Sequence, residues 1–164
     1  MKPPHVVAAT GSRSSHVTPS LVAKLDAFLN ERSAKHDLKV LSGMAEGWDE
    51  LVARRCTALG VPFVAALPNP GYGACYWSAE RSRSGTDRVA DLNKLLGAAV
   101  EVHCVCQGVY GLLGGRRLHS NFVRNQWLVD AADELVAHRE PGLSRGTDDC
   151  LWRALEAGKP WVEL

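Results

Sequence analysis

Short apolar runs alternate with longer stretches whose apolar residues recur at helical spacing. His5 to Ala9 is a β-rich run that ends at Thr10-Gly11. Thr18 is placed to cap a helix with Pro19 at its first position, and Leu21, Val22, Leu25, Phe28 and Leu29 fall on one helical face. Leu38 to Leu41 reads as a second strand, broken by Ser42-Gly43. A helix over 48–59 follows, with Leu51, Val52, Cys56 and Leu59 facing inward and Gly60 ending it. Val61 to Leu67 is a third strand, stopped by Pro68 and Pro70. Thr86 reads as the cap of a helix carrying Val89, Leu92, Leu95 and Leu96, and Val100 to Val105 as a fourth strand. Ser120 reads as the cap of a helix reaching Ala132, followed by a strand from Glu134 to Ala137. Gly146-Thr147 opens the last helix, which ends near Gly158, and Pro160 to Glu163 is a short final strand.

Six strands alternating with five helical segments form a βαβ series, which predicts a single α/β domain over 1–164. Right-handed crossovers place the strands in a three-layer, doubly wound, mainly parallel sheet of Rossmann-like type. Such sheets bind ligands at the carboxyl ends of their strands, near the reversal of strand order. Two segments leaving that edge, 68–85 and 108–117, are long, polar and glycine-rich. They are expected to wall the pocket and set the choice of ligand.

Composition narrows the classes. A chain of 164 residues is one domain at roughly 150 residues per domain. A net charge of +1 argues against a nucleic-acid coat, whose affinity rests on a basic surplus. No run approaches a membrane span, and Met1-Lys2-Pro3-Pro4 lacks a signal-peptide core, so a cytoplasmic protein is expected. The five cysteines include no CxxC pair. Cys104 and Cys106, with His103 between them, read as core rather than half a metal site, because no second ligand pair lies at zinc spacing. No metal or cofactor is expected. Neither HExxH nor GxSxG occurs.

Four loops at the carboxyl edge carry candidate chemistry. Thr10-Gly11-Ser12-Arg13-Ser14-Ser15 is either a plain polar turn or a tight turn whose amides, hydroxyls and Arg13 hold a phosphate. Ser42-Gly43-Met44-Ala45-Glu46-Gly47-Trp48-Asp49 places two glycines at a helix start, where an anion is favoured. Asp49 there either caps the helix or holds a ribose hydroxyl, and Glu46 either does likewise or is solvated. Asn121, Arg124, Asn125 and Leu128 share a helical stripe. Polar groups on such a stripe need partners: phosphate, ribose, a partner chain or solvent. Ser144-Arg145-Gly146-Thr147 again sets glycine and hydroxyl at a helix start, as an anion site or a plain N-cap. Arg13, Arg116, Arg117, Arg124 and Arg145 all fall at or beside this edge, which concentrates positive charge that the whole-chain balance hides.

In order and spacing these loops resemble the SLOG superfamily of Rossmann-like nucleotide-binding proteins, most nearly its YpsA-like branch. The matching pieces are Thr10 to Arg13, Ser42 to Asp49, Arg124 to Asp130 with Asp133, and Arg145 to Thr147. The layout is also similar to that of the Lonely-guy phosphoribohydrolases. That likeness sets Arg124 in the place of their arginine, Asn125 in the place of their lysine, and Cys150 where their catalytic glutamate stands. Leu143 replaces a glycine of the same loop, and Asp148 or Asp149 becomes the candidate acid. A third likeness is to DNA-processing protein A, with Gln126 in the place of an arginine. There Trp77, Tyr76 and Trp127 either stack on bases or pack against the sheet.

The resemblance implies binding of a nucleotide or nucleotide-derived ligand, as a sensor or a sequestering protein. Gly11, Ser12 and Arg13 would face that ligand, and Gly43, Glu46, Gly47 and Asp49 would cradle phosphate or ribose. Asn121, Arg124 and Asn125 would contact phosphate or base, with Gly146 and Thr147 closing the anion site. One alternative is cleavage of a nucleoside monophosphate, with Arg124 orienting it and Asp148 or Asp149 supporting the ribosyl cation. Single-stranded DNA binding is the other. The expected partner is a small nucleotide-type molecule, with nucleic acid disfavoured and no membrane. Pairing into a homodimer is compatible with the fold.

Overall fold

The computed structural model describes residues 1–13, 15–142 and 145–164. Ser14, Leu143 and Ser144, which figure in two of the expected loops, lie outside the described residues. Six parallel strands form one sheet: β1 (Pro4–Gly11), β2 (Asp37–Ser42), β3 (Phe63–Leu67), β4 (Glu101–Cys104), β7 (Glu134–His138) and β8 (Trp161–Glu163). Their order is β4-β3-β2-β1-β7-β8. The chain steps outward from β1 to β4, then crosses to β7 on the other flank of β1. That reversal opens a crevice at the carboxyl ends of β1 and β7, which pair in parallel from Val7 against Glu134 to Gly11 against His138.

Period-two alternation divides the core between the two faces of the sheet. Val7, Ala9, Val40 and Ala65 point to one face, where they meet α1 (Pro19–Lys35), α2 (Trp48–Leu59) and α4 (Val89–Ala98) through Leu25, Trp48, Val52 and Leu92. Ala8, Leu41, Val64 and Ala66 point to the other, against Leu128 and Val129 of α5 (Ser120–Ala131) and Cys150 and Leu151 of α6 (Arg145–Glu156). The three layers are those the pattern predicts. Because both faces are covered, β3 and β7 are almost wholly buried.

Local signals act where expected at two helix ends. The Thr18 hydroxyl accepts from the Leu21 N–H at 3.1 Å, with Pro19 beginning α1. Gly60 closes α2 in the left-handed region at φ 69°. Other helix starts differ from expectation. Arg88, not Thr86, precedes α4, and the Asp87 carboxylate accepts from the Val89 N–H, because the Thr86 hydroxyl is engaged with Ser84. His119 Nδ1 caps α5 while the buried Ser120 hydroxyl accepts from Asn69, and α6 starts at Arg145, so Thr147 lies inside the helix.

The two long connections are not irregular loops. Segment 68–85 contains the short helix α3 (Tyr72–Tyr76), and segment 108–117 contributes to an antiparallel hairpin of β5 (Tyr110–Leu113) and β6 (Arg116–His119). Among the described residues, no helix is long and apolar enough to cross a membrane.

Candidate functional site

The first two loops interlock through glycines. A Cβ on Gly11 would fall 2.3 Å from the Trp48 ring, which is fully buried and donates from Nε1 to the Val136 carbonyl at 3.3 Å. Gly47 sits at φ 87°, and a Cβ there would meet the Ser12 and Arg13 carbonyls at 2.6 Å each. These glycines therefore serve close packing of one loop on the other. That packing holds the turn 11–13 at the carboxyl end of β1, where the Ser12 N–H donates to the His138 carbonyl at 3.0 Å.

Beside this turn, α5 delivers Arg124 into the crevice. Its Nη1 donates to the Gly43 carbonyl. A Cβ on Gly43 would lie 2.2 Å from that same nitrogen and 2.7 Å from Asp49 Oδ2, so glycine is what admits both charged groups. Arg124 is 8% exposed and Asp49 5%. Burial pushes the Asp49 carboxyl up to about 6, against the opposing pull of Arg124 and of a hydrogen bond from the Ala45 backbone. Asp49 Oδ1 and Arg124 Nε are buried without a hydrogen-bond partner among the described residues.

At the next position of the same helix, the Asn125 amide donates to the Gly146 carbonyl at 3.1 Å and to Asp149 Oδ2 at 2.9 Å. It clamps the start of α6 against α5. The backbone beside Gly146 borders open space. Asn121 adds a third unpartnered buried atom, Oδ1, at the crevice.

The remaining wall comes from the segment between β3 and α4. Tyr72 and Tyr76 stack at 4.8 Å between centroids, and Arg13 and Arg81 lie over the Tyr76 ring at 5.3 and 5.6 Å. The segment is tied down by Glu46, which is 2% exposed. Its carboxylate accepts from the Ser82 hydroxyl at 2.9 Å, the Arg83 N–H at 2.9 Å and Arg88 Nη1 at 3.0 Å. Burial alone would raise the pKa of Glu46, but these bonds and the Arg13 charge together hold it below the usual carboxylate range. Burial pushes Tyr72 up to about 12, so its hydroxyl stays neutral.

These parts enclose a cavity of about 610 Å³, within the usual size of a small-molecule site. Of the residues expected at the site, Gly11, Ser12, Arg13, Asp49, Asn121, Arg124, Asn125, Gly146 and Thr147 line it. Gly43, Glu46 and Gly47 do not; they support the wall. Asp148 is exposed and 3.6 Å from Arg139, and Asp149 is held by Arg153 at 2.9 Å. Neither carboxylate reaches the lining, because the turn of α6 that faces the crevice carries Gly146 and Thr147. Cys150, where the resemblance sets a catalytic glutamate, is fully buried, and burial pushes its thiol up to about 11.

Of the two roles open to the tryptophans, packing is the one found: Trp77 is fully buried with its Nε1 donating to the Met44 carbonyl, and Trp127 stacks on His103 at 4.6 Å, so neither faces the cavity. Another expectation needs correction. Arg116 and Arg117 lie on the hairpin, where Arg117 covers Tyr110, and nothing of 108–117 lines the cavity. Conversely, Tyr72, Arg81, Arg83, His119 and Phe122 line it and were not singled out. The aromatic and arginine content of 68–85 was the available signal. The pairing partner Glu46, about forty residues earlier in the chain, was not visible. Within the lining, five arginines face a single carboxylate, Asp49.

No protein-family model and no curated protein matches the chain, but solved structures do. DNA processing protein A from Streptococcus pneumoniae is 15% identical, with a TM-score of 0.61 over 99% of this chain and 50% of that one. The corresponding Helicobacter pylori protein, whose structure describes a single-stranded DNA binding mode, is 17% identical, with a TM-score of 0.66 over 98% and 65%. A molybdenum cofactor binding protein from Rippkaea orientalis is 16% identical, with a TM-score of 0.58 over 99% and 77%. The chain thus spans half to two-thirds of the two DNA processing proteins. At these identities the likeness is one of fold, and the fold is the three-layer, Rossmann-like architecture that the βαβ pattern predicts.

Proposed function

We propose that this chain binds a nucleotide or nucleotide-derived ligand in the cavity at the carboxyl edge of its sheet, as a sensor or sequestering protein. One observation carries the reading. Among the described residues, the buried side-chain atoms that lack a hydrogen-bond partner include Arg13 Nε, Asp49 Oδ1, Asn121 Oδ1 and Arg124 Nε, and all four residues line this cavity. A buried polar group left unpaired costs roughly 1–3 kcal/mol, so four around one space ask for a polar occupant. The arginine excess makes that occupant an anion, and Tyr72, Tyr76 and Phe122 offer apolar area for a base. Mass spectrometry of small molecules co-purifying with the protein, followed by titration of what is found, tests this. Retention of nothing nucleotide-like, with no binding across the common nucleoside phosphates, refutes it.

Hydrolysis of the N-glycosidic bond is the less supported version. The carboxylates proposed for it, Asp148 and Asp149, stand outside the lining, which leaves Asp49 as the acid in reach. Release of free base from nucleoside monophosphates decides it. Single-stranded DNA is the second reading. The Helicobacter pylori protein of this fold binds it, and positive charge here is gathered at one cavity, so a net charge of +1 does not count against nucleic acid. A gel shift on short oligonucleotides that is lost in Arg124→Ala supports that reading.

A further inference from the structure

The arginines of the cavity fall into two groups on different elements. Arg124 comes from α5 and Arg145 from the start of α6. Arg13, Arg81 and Arg83 form a second group, knitted together around Tyr76. Arg83 Nη1 donates to the Arg13 carbonyl, Arg13 Nη2 approaches the Arg81 carbonyl at 3.4 Å, and Arg13 and Arg81 both lie over the Tyr76 ring. Two positive charges of the strap 78–88 therefore meet a third, from the turn after β1. Their acidic neighbour is Glu46, which meets Arg13 Nη2 at 3.4 Å but also receives Arg88, the Ser82 hydroxyl and the Arg83 N–H, so a single carboxylate is shared among them. Arg13 Nε is buried and unpartnered. Gathering like charges is unfavourable without an anion between them, and the strap is held in this place by a buried carboxylate rather than left to relax outward.

We propose that Arg81 and Arg83, with Arg13, form a second anion subsite, so that the cavity takes a ligand with two anionic groups: a nucleoside diphosphate rather than a monophosphate. One phosphate group sits at the Arg124–Arg145 side, and the other is met by the strap. The inference rests on the nucleotide reading above and adds the phosphate count. Neither Arg81 nor Arg83 belongs to the four loops that match the superfamily, so the second subsite is a feature of this chain's own strap.

Calorimetric titration of the full chain with AMP and ADP, and with the matching guanine, cytosine and uracil pairs, tests it at fixed ionic strength. For whichever base binds, the diphosphate is expected to bind about tenfold more tightly than the monophosphate. In the double variant Arg81→Ala/Arg83→Ala the ratio falls to about one, and in Arg81→Lys/Arg83→Lys it is partly kept. Both side chains are exposed, and an unchanged melting temperature checks that the variants fold. Equal affinity for mono- and diphosphate in the wild type overturns this inference and leaves the nucleotide reading standing. An undiminished ratio in the alanine variant overturns the placement of the subsite. Failure of every mono- and diphosphate to bind removes both readings, and a strong response to an oligonucleotide alone transfers the site to single-stranded DNA.

Discussion

The two edges of the sheet each bury an arginine beside a carboxylate, and the two pairs are built to opposite ends. At the amino edge Arg32 donates from Nε and Nη2 to Glu134 at 2.8 and 2.7 Å, with His5 at 3.2 Å completing the carboxylate. The Arg32 hydrogen bond, against the cost of burial, holds Glu134 below the usual carboxylate range. At the carboxyl edge Arg124 and Asp49 are more deeply buried than Arg32, yet they spend their bonds on the backbone of Gly43 and Ala45, and each keeps an unpartnered atom. There burial wins, and the Asp49 carboxyl rises to about 6. A saturated pair fastens two elements; an unsaturated one is a site held open at some cost to stability.

The largest expected effect breaks the saturated pair. Arg32→Ala leaves the buried Glu134 with His5 but without its arginine, and should lower the unfolding free energy by about 3 kcal/mol in urea titration while leaving ligand affinity unchanged. Arg124→Ala should do the reverse. Ligand affinity falls about 100-fold by calorimetry, while stability near pH 6 drops less than in Arg32→Ala, because Asp49 can take a proton instead of remaining a buried bare charge. A loss of stability in Arg124→Ala as large as in Arg32→Ala, with binding kept, would erase the distinction.

Acid sharpens the contrast by sign. Asp49 binds its proton more tightly when folded than at its ordinary value of 3.8. Its ionisation therefore costs stability increasingly as the pH rises from 3.8 through about 6, and nothing below that window. Asp49→Asn should accordingly be more stable than the wild type at pH 7.5, on the order of 2 kcal/mol, with the gap closing toward pH 4. Glu134 behaves oppositely. Its contribution is full above its ordinary value of 4.5 and is lost as the pH falls through its depressed folded value. Melting curves of Arg32→Ala and the wild type should converge in that lower range. The smallest effect concerns the strap. Glu46→Gln removes one charge from its anchor, and should cost about 1 kcal/mol globally while raising the rate of tryptic cleavage after Arg81 or Arg83 several-fold. Unchanged cleavage would mean that the strap does not depend on Glu46.

Much of this was legible along the chain. The helix over 48–59 begins and ends at the expected residues, because Gly47 and Gly60 are local signals acting on their own neighbours. The central strands follow from period-two runs whose two sets of side chains feed two cores. The hairpin at 110–119 escaped notice because its strands have four residues each and an exposed face, which leaves no apolar alternation to read. The aspartates of α6 were placed wrongly for a different reason. A helical start displaced by one or two residues rotates every side chain by about 100° per residue, and only packing on α5 fixes that rotation. Cys150 shows the result, facing the core where a catalytic group was sought.

The sequence by itself determined the order of strands and helices, the face of each that is apolar, and the edge at which polar loops gather, since all of these depend on periodicity and on residues adjacent in the chain. Only the tertiary structure decided which polar groups at that edge are satisfied. Glu46 and Asp49 stand three positions apart, and one is saturated by Ser82, Arg83 and Arg88 while the other faces Arg124 with an oxygen to spare. The partners of Glu46 lie 36 to 42 residues away in sequence, and the arginine facing Asp49 bonds the Gly43 carbonyl across 81 residues. A carboxylate's role is set by what burial brings within hydrogen-bond reach, and that is a property of the folded neighbourhood rather than of the motif in which the residue is found.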